Sequence, residues 1–238
     1  IEVKTVLTRD TVGASWKYKM NFRWMPSEAL YGLGSHMEDY MNLKGKELYL
    51  CQHNLKAMVP VINSTAGYGL LFDAGCSMLF RDTEEVGYVE LEAAKQIDYY
   101  FMKGKRMDAV IANYRLLTGK SPMMPLYLFG YIQSKERYVS SDDLINTLKQ
   151  FRQKQIPVDM IVQDWNYWPD GQWGRMSMNP TFYPDKKKLA DEIHAMNAKL
   201  MISIWPNAVN SPQTDDFKQK GLLFNGTTVY DAFNPLGR

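Results

Sequence analysis

Two folds in series are expected from this sequence: an antiparallel β-sandwich up to about residue 107, then a parallel α/β structure from about residue 125. Three observations predict this. The stretch "SWKYKMNFRW" alternates Trp16, Tyr18, Met20, Phe22 and Trp24 with Lys17, Lys19, Asn21 and Arg23, the period-two pattern of a half-buried strand. From residue 108 the pattern turns helical, and from Leu126 onward apolar runs alternate with helical stretches, the order of βαβ units. The 113 residues from Leu126 to Arg238 fall short of the roughly 250 of a closed (β/α)8 barrel. An incomplete barrel and an open doubly wound sheet both satisfy that length.

Each element has its own signal. Further strands are predicted at "KELYLCQ", "MVPVINS", "YGLLFDA", "SMLFRD", "VGYVELE" and "IDYYFMKG", parted by turns such as Ser64 to Gly67 and Ala74-Gly75. Short strands at such spacing suit a sandwich. Val110, Ile111, Tyr114 and Leu117 share a helical face that Gly119 ends, and "SPMMP" follows, so residues 108–124 read as a helical linker. Next come the apolar run "LYLFGYIQ", a helix capped by Ser140 or Ser141 that carries Leu144, Leu148 and Phe151, and the run "VDMIVQ" behind Pro157. A second helix starts near Asp185 with Leu189, Ile193 and Met196 on one face, and "LMISIW" is the third strand.

Composition excludes several function classes. Lys and Arg number 28 against 26 Asp and Glu, a balance that suggests no nucleic-acid or polyanion partner. The basic run Lys186-Lys187-Lys188 reads as a solvated helix face. Cys51 and Cys76 are the only cysteines and lack CxxC spacing, so neither a disulfide scaffold nor a zinc site is indicated. No segment has the length and apolarity of a membrane span, and "IEVKTVLTRD" is not a signal peptide. The expected location is the cytoplasm, or the periplasm or exterior if a leader has been removed. With 6 Trp and 15 Tyr the chain is rich in aromatics, which suits sugar or planar-ligand contact as well as large cores.

Ligands of parallel α/β folds bind at the C-terminal ends of the strands. Gln133 to Arg137 follow the first apolar run; Asp164, Trp165, Tyr167 and Trp168 follow the second; Trp205 and Asn207 follow the third. One acid among large flat rings suits a sugar, whose hydroxyls hydrogen-bond the carboxylate while its C–H face packs on an indole. The same residues also suit a purely structural role, with the tryptophans covering the core and Asp164 capping the next loop. Other motifs are weaker. Gly32-Leu33-Gly34 lacks the third glycine of a dinucleotide fingerprint and reads as a turn after a strand. His36, His53 and His194 have no ligand spacing, and no GxSxG occurs.

The stretches "YGLGSHMEDYMNLKG", "VPVINSTAGYGLLFD", "FGYIQSKERYVSSDDLI", "IPVDMIVQDWNYW", "NPTFYPD", "LMISIWP" and "YDAFNP" resemble, in order, those of glycoside hydrolase family 31, the α-glucosidase and α-xylosidase family, and most of all its bacterial α-xylosidase-like members. The resemblance implies an N-terminal sandwich followed by the opening strands of a (β/α)8 barrel over residues 125–238. It implies hydrolysis of terminal α-linked sugars of an oligosaccharide with retention, by an aspartate nucleophile and an aspartate acid/base, without metal or cofactor. Both catalytic aspartates of the family lie on later barrel strands, so no catalytic residue is assigned here and these residues alone are expected to be inactive, with an exposed apolar edge. Asp164 stands where the family holds substrate hydroxyls; Trp165 would line the same pocket and Trp205 stand beside it, with Trp168 and Trp173 explained equally by loop packing. Trp165 is bulkier than the small aliphatic residue of many α-glucosidases, which favours an α-xyloside. The "YGLGSHMEDYMNLKG" loop resembles one that leans over the family's active site. A non-catalytic carbohydrate-binding protein, or a small doubly wound protein complete at Arg238, are the rival readings.

Overall fold

The computed structural model describes residues 3–12, 15–83, 85–224 and 226–237. The chain divides into two compact units, residues 1–122 and 123–238.

The first unit holds two antiparallel sheets. One has the order β1-β2-β8-β7-β4, from β1 (Val3–Val12), β2 (Ser15–Phe22), β4 (Glu47–Leu50), β7 (Met78–Asp82) and β8 (Gly87–Ala94). The other has the order β3-β5-β6-β9, from β3 (Leu30–Ser35), β5 (Ala57–Ser64), β6 (Tyr68–Phe72) and β9 (Tyr99–Lys103). The alternation in β2 is realised: Tyr18, Met20 and Phe22 are buried while Lys17, Lys19 and Asn21 stay partly exposed. One core cluster takes Met20, Phe22, Leu48, Phe80 and Leu91 from the first sheet and Leu30, Ile62, Leu70 and Phe72 from the second. Phe22 meets Phe72 edge-on at 6.0 Å between ring centroids, a favourable aromatic geometry.

Gly32-Leu33-Gly34 is not a turn after a strand. It lies within β3, where the pairing with β5 shifts register between Gly32 and Gly34 and Leu33 takes φ 61. The cause is a close backbone approach, since a Cβ on Gly34 would stand 2.0 Å from the Ala57 carbonyl oxygen. Leu33 is thereby turned into the core, where it is buried.

Helix α1 (Met107–Thr118) ends at Gly119, φ 86, as the glycine stop predicts. It packs on the second sheet: Val110 is fully buried with Val61 and Met102, and the amide of Asn63 donates to the Met107 carbonyl at 3.2 Å.

The second unit carries a three-stranded parallel sheet in chain order, β10 (Ile132–Gln133), β11 (Met160–Gln163) and β12 (Lys199–Ile202). Helices α2 (Ser141–Gln153) and α3 (Lys186–Ala195) supply the crossovers. Ser140 caps α2, its hydroxyl accepting from the Asp143 amide, and Asp185 caps α3 through the Lys188 amide. Leu144, Ile145, Leu148, Leu189 and Ile193 bury the inner helix faces. The Arg152 guanidinium donates to the carbonyls of Met196, Val158 and Asn197, tying the end of α2 to the turn before β12.

The apolar run "LYLFGYIQ" departs from its prediction as a continuous strand. Leu126–Phe129 forms one 3-10 turn behind Pro125, and only Ile132–Gln133 pair as a strand. Pro125 offers no amide to a ladder, and Leu126 and Phe129 are 87% and 73% exposed, so burial does not pull this run into the sheet. A further helix, α4 (Pro212–Gln219), starts at a capping box of Ser211 and Thr214.

Candidate functional site

Beneath the C-terminal ends of the parallel strands lies a buried polar network. Gln163, the last residue of β11, is fully buried; its amide donates to the Tyr138 carbonyl at 3.0 Å. The Tyr183 hydroxyl donates to the same carbonyl at 2.6 Å and lies 3.1 Å from the side-chain Oε1 of Gln163. These bonds fix the direction in which β11 ends and therefore where its next residues point. Burial pushes the Tyr183 phenol up to about 12 and raises that of Tyr138. A phenol whose folded pKa is raised contributes stability that is complete below pH ~10 and is lost as pH climbs through the folded value. In an alkaline titration, the last tyrosinate absorbance step is therefore expected to coincide with loss of tertiary structure rather than precede it.

Asp164 follows Gln163 directly. Its Oδ1 accepts the Trp165 amide at 2.8 Å, and among the described residues no donor reaches Oδ2. The carboxylate thus caps the next loop, as the structural reading expects, and keeps one oxygen for another donor. Asn166, with φ 58, turns the chain so that Tyr167 and Trp168 enter the core, 5% and 3% exposed.

The aromatic residues converge on Trp173. Its ring lies 5.2 Å from Trp165, 5.7 Å from Trp168 and 5.4 Å from Trp205. The structure therefore brings Trp165, Trp168 and Trp205 together, but through a fourth tryptophan that loop packing alone would have explained. A pocket of about 490 Å³ opens beside this cluster, walled by Trp168, Trp173 and Trp205 and edged by the amides of Asn166, Gln172 and Asn207. Asp164 and Trp165 stand next to this pocket rather than in its wall. Trp205 is 40% exposed and offers an open indole face. Neutral amides beside indoles are the donors, acceptors and apolar faces that a polyhydroxylated ligand pairs with. Asn166 and Gln172 were not foreseen, because a single amide in a loop carries no sequence signal.

In the first unit, the "YGLGSHMEDYMNLKG" loop carries a bridged carboxylate: Glu38 meets His36 Nδ1 at 2.8 Å and Lys56 Nζ at 2.7 Å. The Lys56 hydrogen bond holds the Glu38 carboxyl below its usual range. His194 is an exposed residue of α3. Among the described residues, no three His, Cys, Asp or Glu side chains converge as metal ligands, and no helix is long and apolar enough to cross a membrane.

Comparison with known proteins identifies the family. The sequence model of the glycosyl hydrolases family 31 TIM-barrel domain matches residues 121–237. An alpha-xylosidase of Saccharolobus solfataricus is 38% identical over 233 residues, 92% of this chain and 32% of that protein. Alpha-xylosidase A of Aspergillus niger is 27% identical over 95% of this chain and 33% of that protein. Among solved structures, a GH31 alpha-xylosidase from a soil metagenome, complexed with xylose, superposes with a TM-score of 0.87 at 29% identity, covering 97% of this chain and 36% of that one. The chain spans about a third of the length of these relatives. It belongs to glycoside hydrolase family 31, with its second unit inside that family's TIM-barrel domain.

Proposed function

We propose that the protein to which these residues belong is a retaining, exo-acting α-glycosidase that removes terminal α-linked sugars from oligosaccharides, with α-xyloside preferred over α-glucoside. In this reading the first unit is the family's β-sandwich and the second is the opening of its (β/α)8 barrel. The observation that carries it is the free Oδ2 of Asp164 at the end of β11, on the same loop as Trp165 and Trp168, which with Trp205 pack around Trp173. The carboxylate accepts sugar hydroxyls and the indoles take the ring's C–H face. The two xylosidase relatives and the xylose complex support the choice of sugar. Trp165 supports it as well, since an indole there leaves less room for a hydroxymethyl group.

Retention needs two carboxylates about 5 Å apart, one attacking the anomeric carbon and one protonating the leaving oxygen. The proposal places neither within residues 1–238 and gives Asp164 a binding role only. These residues alone are then inactive. The test is hydrolysis of p-nitrophenyl α-xyloside and α-glucoside by the gene's complete translated product. Faster turnover of the xyloside is expected. Glucoside preference would overturn the assignment of the sugar, and sugar binding without hydrolysis of either would favour a carbohydrate-binding protein.

A further inference from the structure

Gly174 is the residue on which the aromatic pocket depends sterically. It follows Trp173, is buried, and takes φ 73. A Cβ built on it would lie 2.0 Å from the Asn207 carbonyl oxygen and 2.9 Å from the Asn207 carbonyl carbon. Both are backbone atoms, so no side-chain rotation relieves the overlap, and the two segments would have to part by more than an ångström to reach ordinary contact.

Asn207 cannot be the segment that yields, because it is held from its other side. It pairs with Val229 in an isolated antiparallel bridge, and its Oδ1 accepts the Thr228 hydroxyl. The next residue, Ala208, is fully buried; its amide donates to the Thr228 carbonyl at 3.0 Å and its carbonyl accepts the Thr214 hydroxyl at 2.6 Å. Among the described residues, the segment carrying Trp173 lacks comparable anchors. Its polar ties beyond its own turn are the Met176 amide to Gln213 at 3.2 Å and the Asn179 amide to the Tyr167 carbonyl at 2.7 Å. Trp173 sits next to the glycine and touches Trp205, two residues before Asn207.

We propose that Gly174 is a positioning residue for sugar binding: its bare Cα seats the Trp173 loop on the Asn207 backbone, and that seat sets the Trp173–Trp205 contact of the pocket. This rests on the sugar-binding reading of the pocket given above. Thr228 completes the seat by holding Asn207 from behind. An ångström of displacement at a binding wall is enough to cost about 10²-fold in a well-fitted site. Gly221 serves as the control for backbone strain alone, since it takes φ 65 but has no atom within 4 Å of its would-be Cβ.

The experiment compares Gly174→Ala and Gly221→Ala in the complete translated product. For Gly174→Ala, KM for p-nitrophenyl α-xyloside is expected to rise about 10- to 100-fold with kcat changed far less. The exciton circular-dichroism band of the tryptophan cluster should weaken while the helical signal stays. Gly221→Ala is expected to leave KM and the exciton band near those of the unsubstituted protein. Equal effects from both glycines, or an intact exciton band and KM in Gly174→Ala, would overturn the proposal. If Gly174→Ala does not accumulate as folded protein, Thr228→Val reads the same seat, with a smaller rise in KM expected and an unchanged KM overturning it. If the unsubstituted protein hydrolyses neither glycoside, the glycosidase reading fails separately. Xylose binding followed by tryptophan fluorescence then decides the seat, with affinity lost in Gly174→Ala and kept in Gly221→Ala as the supporting result.

Discussion

Replacing Asp164 by alanine in the complete protein is expected to lower kcat/KM on an α-xyloside by about 10²- to 10⁴-fold. Two hydrogen bonds from sugar hydroxyls to a carboxylate are each worth ~1.5–3 kcal/mol, and every 1.4 kcal/mol is tenfold. Such bonds also orient the ring, so kcat should fall along with the rise in KM. Alanine also removes the acceptor of the Trp165 amide, held at 2.8 Å, so an effect could be structural. Asp164→Asn separates the two roles, because its side-chain carbonyl can still accept that amide while the negative charge is gone. A substitution that leaves the tryptophan exciton band intact and still loses most of the activity places the loss in sugar binding. If Asp164→Asn keeps activity within about fivefold, Asp164 is only a loop cap and the site lies elsewhere. The fivefold margin corresponds to about 1 kcal/mol, the scale of one neutral hydrogen bond.

Local pattern carried much of this fold. Period two placed β2, a cap at Ser140 or Ser141 and a helical pattern from about Asp185 placed the starts of α2 and α3, and alternating runs and helices placed β11 and β12 in parallel. The rule that ligands sit at strand ends put Asp164 among the candidates, and the family resemblance raised it above the others. What stayed hidden depends on partners distant in sequence. Gly32 and Gly34 hide β3, because their strand pairing needs the β5 backbone to come close. The apolar run at Leu126–Phe129 reads as a strand only if something buries it, and here it is exposed. Trp173 is the middle of the aromatic cluster because Trp205 meets it, and the Asn207 backbone meets Gly174 beside it, from 32 and 33 residues away. Nothing in "GQWGRM" itself announces that.

The largest stability effect is expected at Glu28, in the first unit. This carboxylate is 6% exposed. Its Oε1 accepts the Met25 amide at 2.5 Å, and its Oε2 accepts the hydroxyls of Tyr68, at 2.6 Å, and Ser64. Ser64 and Tyr68 are paired across the β5–β6 hairpin, so one side chain ties that hairpin to the turn before β3. Burial and the neighbouring Glu28 carboxylate both raise the Tyr68 phenol, which therefore stays a donor throughout the physiological range. Glu28→Ala strips the acceptor from three donors, two of them on buried residues, and each unmet group costs ~1–3 kcal/mol. A loss of about 3–5 kcal/mol is expected, comparable to breaking a buried charged network. That is a large part of the 5–15 kcal/mol total of an ordinary domain. Glu92 offers an internal comparison, since it too accepts a tyrosine and a serine hydroxyl, from Tyr49 and Ser77, but in a solvent-accessible setting. Glu92→Ala should cost much less, because water replaces the lost acceptor. Urea unfolding of the two variants, followed by a probe in the first unit, decides between them. Equal shifts in midpoint would mean that burial adds nothing at Glu28 and that water reaches Ser64 and Tyr68 once the carboxylate is gone.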